Sequence, residues 1–180
     1  MILSVGELNQ NKHHEIIIRA LEHIQDVHYA IAGDGELLNQ LKELAIKCSV
    51  SDRVHFLGFR DDVKQLYKTA DIFCLPSYRE GLSASVMEAM AAGLPVVCSD
   101  IRGNRDLIIP NKGGILVNAE DIQGFKRAIN FLSGSADVRR KMSFFNTNYI
   151  KKFSLDKIVG KMESIYSGML CFKTEGGPNR

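Results

Sequence analysis

The chain has 180 residues, enough for one domain with a full-sized core and too few for two comfortable ones. Apolar residues make up 45%, charged residues 24%, and the formal charge is +2, so no broad field points to nucleic acid or to an anionic membrane. No apolar run can span a bilayer and no basic segment precedes a signal-type core, which is consistent with the cytoplasm.

Short apolar runs alternate with amphipathic segments along the chain. "MILSVG" reads as a strand ending in glycine, and "KHHEIIIRALEHI" as a helix with Ile17, Ile18, Leu21 and Ile24 on one face. "VHYAIAGDGE" is a second strand running into a glycine turn, followed by the helix "ELLNQLKELAIKCSV". "RVHFLGF", "DIFCLPS", "PVVCSD" and "GILVN" read as further strands, with helices at "DDVKQLYKTA" and "ASVMEAMAAG" between them. "DIQGFKRAINFL", "ADVRRKMSFFNTNYIKKF" and "SLDKIVGKMESIYSGML" are predicted helices, the last with Ser154 as its N-cap. The polar, glycine-rich end, residues 173–180, reads as a disordered tail.

Strands alternating with helices predict an α/β fold: a Rossmann-like, three-layer domain with a parallel sheet of about six strands. The strands are continuous apolar runs, as they must be when helices cover both faces. Ligands bind such sheets beyond the carboxyl ends of the strands. The turns starting at Gly6, Gly33, Gly58, Pro76 and Ser99 are therefore the candidate site. The four cysteines, Cys48, Cys74, Cys98 and Cys171, lack metal-ligand spacing and read as reduced, structural thiols.

The stretch "LPSYREGLSASVMEAM" runs from a strand through Gly81 into a helix starting near Ser83. A helix start offers unpaired N–H groups and partial positive charge, which suit a phosphate. Gly81 lets the backbone come close to a ligand. Glu80 and Glu88 flank this start, and each carboxylate can accept from two hydroxyls. Two such acids around a phosphate site suit a ligand with hydroxyls on both sides of a diphosphate, as in a nucleotide sugar. An isolated pair of acids at this spacing is a weak signal and would otherwise read as solvated carboxylates at a helix start.

The wider context is stronger. "SVGELNQNK", "AGDGELLNQL", "VHFLGFRDDV", "ADIFCLPSYREGLSASVMEAMAAGLPVVCSD", "RGNRDLI" and "GGILV" together resemble the C-terminal, donor-binding domain of GT-B retaining glycosyltransferases of family 4, the glycosyl transferases group 1. The resemblance implies a donor-binding domain over residues 1–172, one half of a GT-B fold. It further implies an N-terminal acceptor domain that this chain lacks, and no bound metal or cofactor. It implies that Glu88 holds ribose hydroxyls, that Glu80 contacts the donor sugar, and that Gly81, Leu82 and Ser83 meet the diphosphate and sugar. Lys12 matches the phosphate-binding lysine, and it would stabilise the leaving nucleoside diphosphate. Gly58, Phe59 and Arg60 match the loop that frames the base, while Gly6, Gly33 and Asp34 line the same crevice.

The expected activity is a hexosyl transfer from a UDP- or GDP-sugar to a sugar or lipid-linked acceptor, in cell-surface polysaccharide synthesis. The isolated domain is expected to be inactive. Two readings stand beside it: a non-catalytic nucleotide-binding or regulatory module, and a GT-B-related sugar-nucleotide 2-epimerase. This sequence departs from the family pattern at Glu7, where an arginine is usual, at His13, where a glycine is usual, and at Arg102. Glu7 is expected to turn away from the site or to pair with Lys12, and Arg102 or Arg105 to supply the missing charge. His13 and His14 read as residues that diverge on a helix, and His23, His28 and His55 as scattered. The basic, aromatic segments near the C-terminus read as helices packing on the sheet, with peripheral contact at the inner face of the membrane kept open. The last helix resembles the terminal helix that packs on the partner domain, and alone it would expose apolar surface.

Overall fold

A computed structural model describes residues 1–174, with side-chain surroundings through residue 169. Its strands are β1 (Ile2–Val5), β2 (Tyr29–Ala32), β3 (Val54–Phe56), β4 (Ile72–Leu75), β5 (Val96–Ser99) and β6 (Gly114–Val117). Its helices are α1 (Glu15–Leu21), α2 (Leu38–Lys47), α3 (Val63–Thr69), α4 (Ala84–Ala91), α5 (Arg102–Leu107), α6 (Ile122–Ser133), α7 (Ala136–Tyr149) and α8 (Leu155–Thr174), with a 3-10 turn at Ile150–Phe153. The strands form one sheet in the order β3-β2-β1-β4-β5-β6, and every pairing is parallel. This is the Rossmann-like, three-layer architecture that the alternation of elements predicts.

The inner strands β1, β2, β4 and β5 bury both faces, so alternate residues feed two cores. Ile2, Tyr29, Ile31, Ile72, Cys74 and Val97 join Ile17, Leu21, Leu41, Phe125 and Ile129 on the side covered by α1, α2 and α6. Leu3, Phe73, Leu75, Val96 and Cys98 join Tyr67, Val86, Met90 and Leu107 on the other side. Each fully buried Ile, Leu or Phe contributes about 1.5–3 kcal/mol. The Asp121 carboxylate accepts from the Gly124 N–H at 2.8 Å and fixes the start of α6. Gly93, at φ +82, ends α4, and a β-carbon there would lie 2.6 Å from the Ser143 hydroxyl.

Three expectations change. His13 and His14 precede α1 rather than lying on it, because His13 takes a left-handed φ of 51. The segment after β5 forms a short helix, α5, that propensity does not announce, since Gly103 and Asn104 lie within it. The helix α8 runs through Thr174, so the predicted tail does not begin at 173. The rest of that tail, and the side chain of Cys171, lie outside the described residues. Cys48, Cys74 and Cys98 are free and buried. Burial holds the Cys74 and Cys98 thiols far above the usual range, so neither is a ready nucleophile.

The two basic, aromatic segments separate: α7 buries only Met142 and Asn146 and leaves Phe144 exposed. Helix α6 buries Phe125, Ala128, Ile129 and Leu132 against the sheet, as a packing helix should. Helix α8 leaves Leu155, Met162, Ile165 and Tyr166 exposed. No helix among the described residues is long and apolar enough to cross a membrane.

Candidate functional site

The strand order reverses between β1 and β4, and the loops that follow these two strands face each other across the switch point. Lys12, on the loop after β1, donates from Nζ to Glu80 Oε1 at 2.7 Å, on the loop after β4. The side chains are 19% and 12% exposed, so this is a partly desolvated ion pair rather than a surface one. Gly6 makes room for it: a β-carbon at Gly6 would lie 3.2 Å from the Lys12 side chain.

The loops after β2 and β3 complete the crevice with backbone. The Gly33 N–H donates to the Gly58 carbonyl at 2.8 Å, and the Gly6 N–H to the Ala32 carbonyl at 3.0 Å. A β-carbon at Gly33 would sit 2.0 Å from the Gly6 carbonyl oxygen, and its φ of +148 suits only glycine. Asp34 accepts from the Phe59 N–H at 2.9 Å and so ties the second loop to the third. Val5, Gly6, Glu7, Gly33, Asp34 and Phe59 line a cavity of about 390 Å³ here. The Phe59 ring is 83% exposed. Arg60 is engaged by Asp62 through two hydrogen bonds of 2.7 and 2.6 Å.

Helix α4 starts after Ser83, whose hydroxyl bonds that of Ser85 at 3.1 Å. At Gly81 a β-carbon would meet nothing within 4 Å, so the loop is open to close approach from outside. Its carbonyl is backed by Gly103 of α5, where a β-carbon would lie 1.9 Å from that oxygen. Leu82 is exposed beside it. Glu88, exposed on α4, accepts from the Tyr67 hydroxyl at 3.0 Å. Burial, and then the Glu88 charge, hold the Tyr67 hydroxyl far above its usual range, so it remains a donor to that carboxylate.

The expected residues thus fall into two groups that meet at Gly6: Lys12, Glu80, Gly81, Leu82, Ser83 and Glu88 around the β4–α4 turn, and Gly33, Asp34, Gly58, Phe59 and Arg60 around the cavity. Glu7 does not pair with Lys12. It lines the cavity and accepts from the Asn9 amide at 2.9 Å, while Lys12 is held by Glu80. Arg105 is bound to Asp100 at 2.7 Å and is a surface ion pair; Arg102 makes no ion pair among the described residues. His28 and His55 are not scattered, since parallel pairing of β2 with β3 brings Nδ1 of one to 3.0 Å from Nε2 of the other.

Sequence reasoning missed Tyr67, Asn11 and Tyr78. Their roles depend on partners 21 to 68 residues away, for which no local spacing exists. His14 is also more than a packing residue. Its Nδ1 lies 2.9 Å from the buried Tyr29 hydroxyl, which bonds Ser4, whose hydroxyl donates to the Cys74 carbonyl. Burial lowers the His14 pKa to about 4, so the ring is neutral at physiological pH.

A doubly wound α/β domain with a charged crevice at its switch point is the class that fold and geometry define. The chain belongs to the glycosyl transferases group 1 family, whose model matches residues 1–147. A UDP-Gal:alpha-D-GlcNAc-diphosphoundecaprenol alpha-1,3-galactosyltransferase of Escherichia coli is 31% identical over 83% of this chain and 39% of its own length. The chain spans about half the length of the curated relatives it matches. The structure of Anabaena HepE in complex with UDP superposes with a TM-score of 0.88 at 23% identity, over 93% of this chain and 48% of HepE. The C-terminal domain of the group 1 glycosyl transferase LpcC of Francisella tularensis gives a TM-score of 0.76 at 20% identity, covering 86% of each chain. At these identities the two structures speak to fold.

Proposed function

We propose that this chain is the donor-binding half of a retaining glycosyltransferase and that its crevice takes a nucleoside-diphosphate sugar. The observation that carries this reading is the Lys12–Glu80 pair at the switch point, beside the open backbone at Gly81 and with Glu88 held by Tyr67. In this reading the diphosphate lies against Gly81 and the start of α4 and recruits the Lys12 ammonium from Glu80. Glu80, released, accepts a hydroxyl of the donor sugar, and Glu88 accepts the ribose hydroxyls with Tyr67 fixing its rotamer. The base enters the glycine-lined cavity, where the exposed Phe59 ring offers a stacking face and Asp34 holds its backbone. As the sugar leaves, Lys12 meets the charge that develops on the diphosphate.

The names of the relatives support a UDP-sugar as donor and a lipid-linked acceptor. The acceptor and the groups that serve it would come from a further domain, and a lipid-linked acceptor would bring the protein to a membrane surface. Calorimetric titration with UDP and GDP tests the donor half: binding of one is expected, and binding of neither at millimolar concentration overturns the proposal. Glu7, an acidic residue beside the cavity, favours a second reading, a nucleotide-binding module without transfer. Assay of the protein with its acceptor domain, reading the anomeric configuration of any product by NMR, decides between them. Retained configuration supports transfer, and absence of product with UDP bound supports the module.

A further inference from the structure

The loops after β1 and β4 are joined residue by residue. The Asn11 side chain forms two hydrogen bonds with the backbone of Arg79, donating to its carbonyl at 3.0 Å and accepting from its N–H at 3.1 Å. The Tyr78 N–H donates to the Asn11 carbonyl at 2.9 Å. The His13 ring stacks on Tyr78 with centroids 4.3 Å apart and planes at 19°, and its Nε2 lies 3.1 Å from the Tyr78 hydroxyl. Between these two contacts sits Lys12 on Glu80. Three consecutive residues of one loop therefore hold three consecutive residues of the other. Asn9 tightens the first loop further, accepting from the Lys12 N–H at 3.0 Å.

We propose that Asn11 and His13 are positioning residues, forming a clasp that presents the Lys12 ammonium to the diphosphate; this rests on the donor-site reading above. A lysine head on a four-carbon stem has many rotamers, and a loop that also moves would spread it over still more positions. The clasp removes the second freedom: it holds both ends of the Lys12 backbone to the loop that carries Glu80 and Gly81. His13 shows the cost of the arrangement. Its φ of 51 disfavours any residue with a β-carbon, and glycine would adopt it without strain. The ring is held in that strained position by Tyr78, so its contribution lies in the contact and not in the backbone.

The experiment titrates UDP, GDP and their nucleosides into the wild-type chain and into Asn11→Ala, His13→Gly, Lys12→Ala and the Asn11→Ala/Lys12→Ala double variant. Thermal unfolding is recorded alongside. Asn11→Ala and His13→Gly are expected to weaken the diphosphate that binds by roughly tenfold, part of the worth of a charge-assisted contact. They should leave the matching nucleoside within about twofold, because it does not reach Lys12. In the Lys12→Ala background, Asn11→Ala should cost no further affinity. His13→Gly relieves the backbone and keeps the fold, so it stands as a test even if Asn11→Ala unfolds. Equal losses for nucleoside and diphosphate, losses additive with Lys12→Ala, or no loss at all would each overturn the clasp while leaving the donor site intact. Failure of the wild type to bind either diphosphate would overturn both.

Discussion

The two sides of the crevice are built from different materials. On the β1–β4 side the geometry is made by side chains: an ammonium on a carboxylate, an amide on a backbone, an imidazole on a phenol ring. On the β2–β3 side it is made by backbone, with Gly33 packed on Gly6 and bonded to Gly58, and one carboxylate, Asp34, fixing a loop. The difference teaches where each side will fail. A backbone-built surface has no room for an added atom, whereas a side-chain-built one loses function by subtraction and keeps its fold.

The comparison is broken most severely by Gly33→Ala. The new β-carbon would collide with the Gly6 carbonyl oxygen in a conformation that alanine resists, and we expect a loss of about 3 kcal/mol or more in urea unfolding. On the other side, Lys12→Met should leave urea stability much less changed than Gly33→Ala does. Its effect should fall on calorimetric affinity for the diphosphate, by about 1.5–3 kcal/mol, the worth of a hydrogen bond to a charged group. If Lys12→Met unfolds the domain as readily as Gly33→Ala, the distinction between the two sides is lost.

His14 gives a pH test of the β1 side. Its folded pKa of about 4 lies below the unfolded value of 6.5, so the unfolded chain binds more protons between the two. Stability from this group is complete above pH 6.5 and falls as the pH drops toward 4. From pH 7.5 to pH 5 the loss should be about 2 kcal/mol. His14→Phe should flatten this part of the profile, and an unchanged slope would contradict the assignment. The smallest expected effect is at Tyr67→Phe. Losing the hydroxyl's hydrogen bonds to Glu88 and to the Ser85 carbonyl should weaken nucleotide binding by about 1 kcal/mol, with a near-normal urea midpoint.

How much of this was readable in advance follows the same division. Glu80 and Glu88 were legible as candidate acids around a helix start, and Lys12 only through the family resemblance, because no spacing along the chain links it to Glu80. Gly33 and Gly58 were legible as turns, but not the close contact of Gly33 with Gly6, since two glycines in sequence do not say which carbonyl they will face. Glu7 was misjudged for a related reason. Pairing with the nearby Lys12 was the local expectation, yet Lys12 finds Glu80, 68 residues away, at 2.7 Å. Helix α5 was missed because its glycine serves packing against Gly81 rather than helix formation.

The sequence by itself determined the alternation of buried strands and helices, and hence the Rossmann-like class and the end of the sheet where a ligand would lie. That much follows from local periodicity and from the need to bury both faces of a parallel sheet. Only the tertiary structure decided which loop residues meet: Asn11 with Arg79, His13 with Tyr78, Tyr67 with Glu88. The order of strands places the ends of β1 and β4 side by side, although nearly the whole first half of the domain separates them in the chain. Hydrogen bonds and ring contacts act over a few ångströms, so a sequence can supply the partners, but only the packed sheet brings them within that reach.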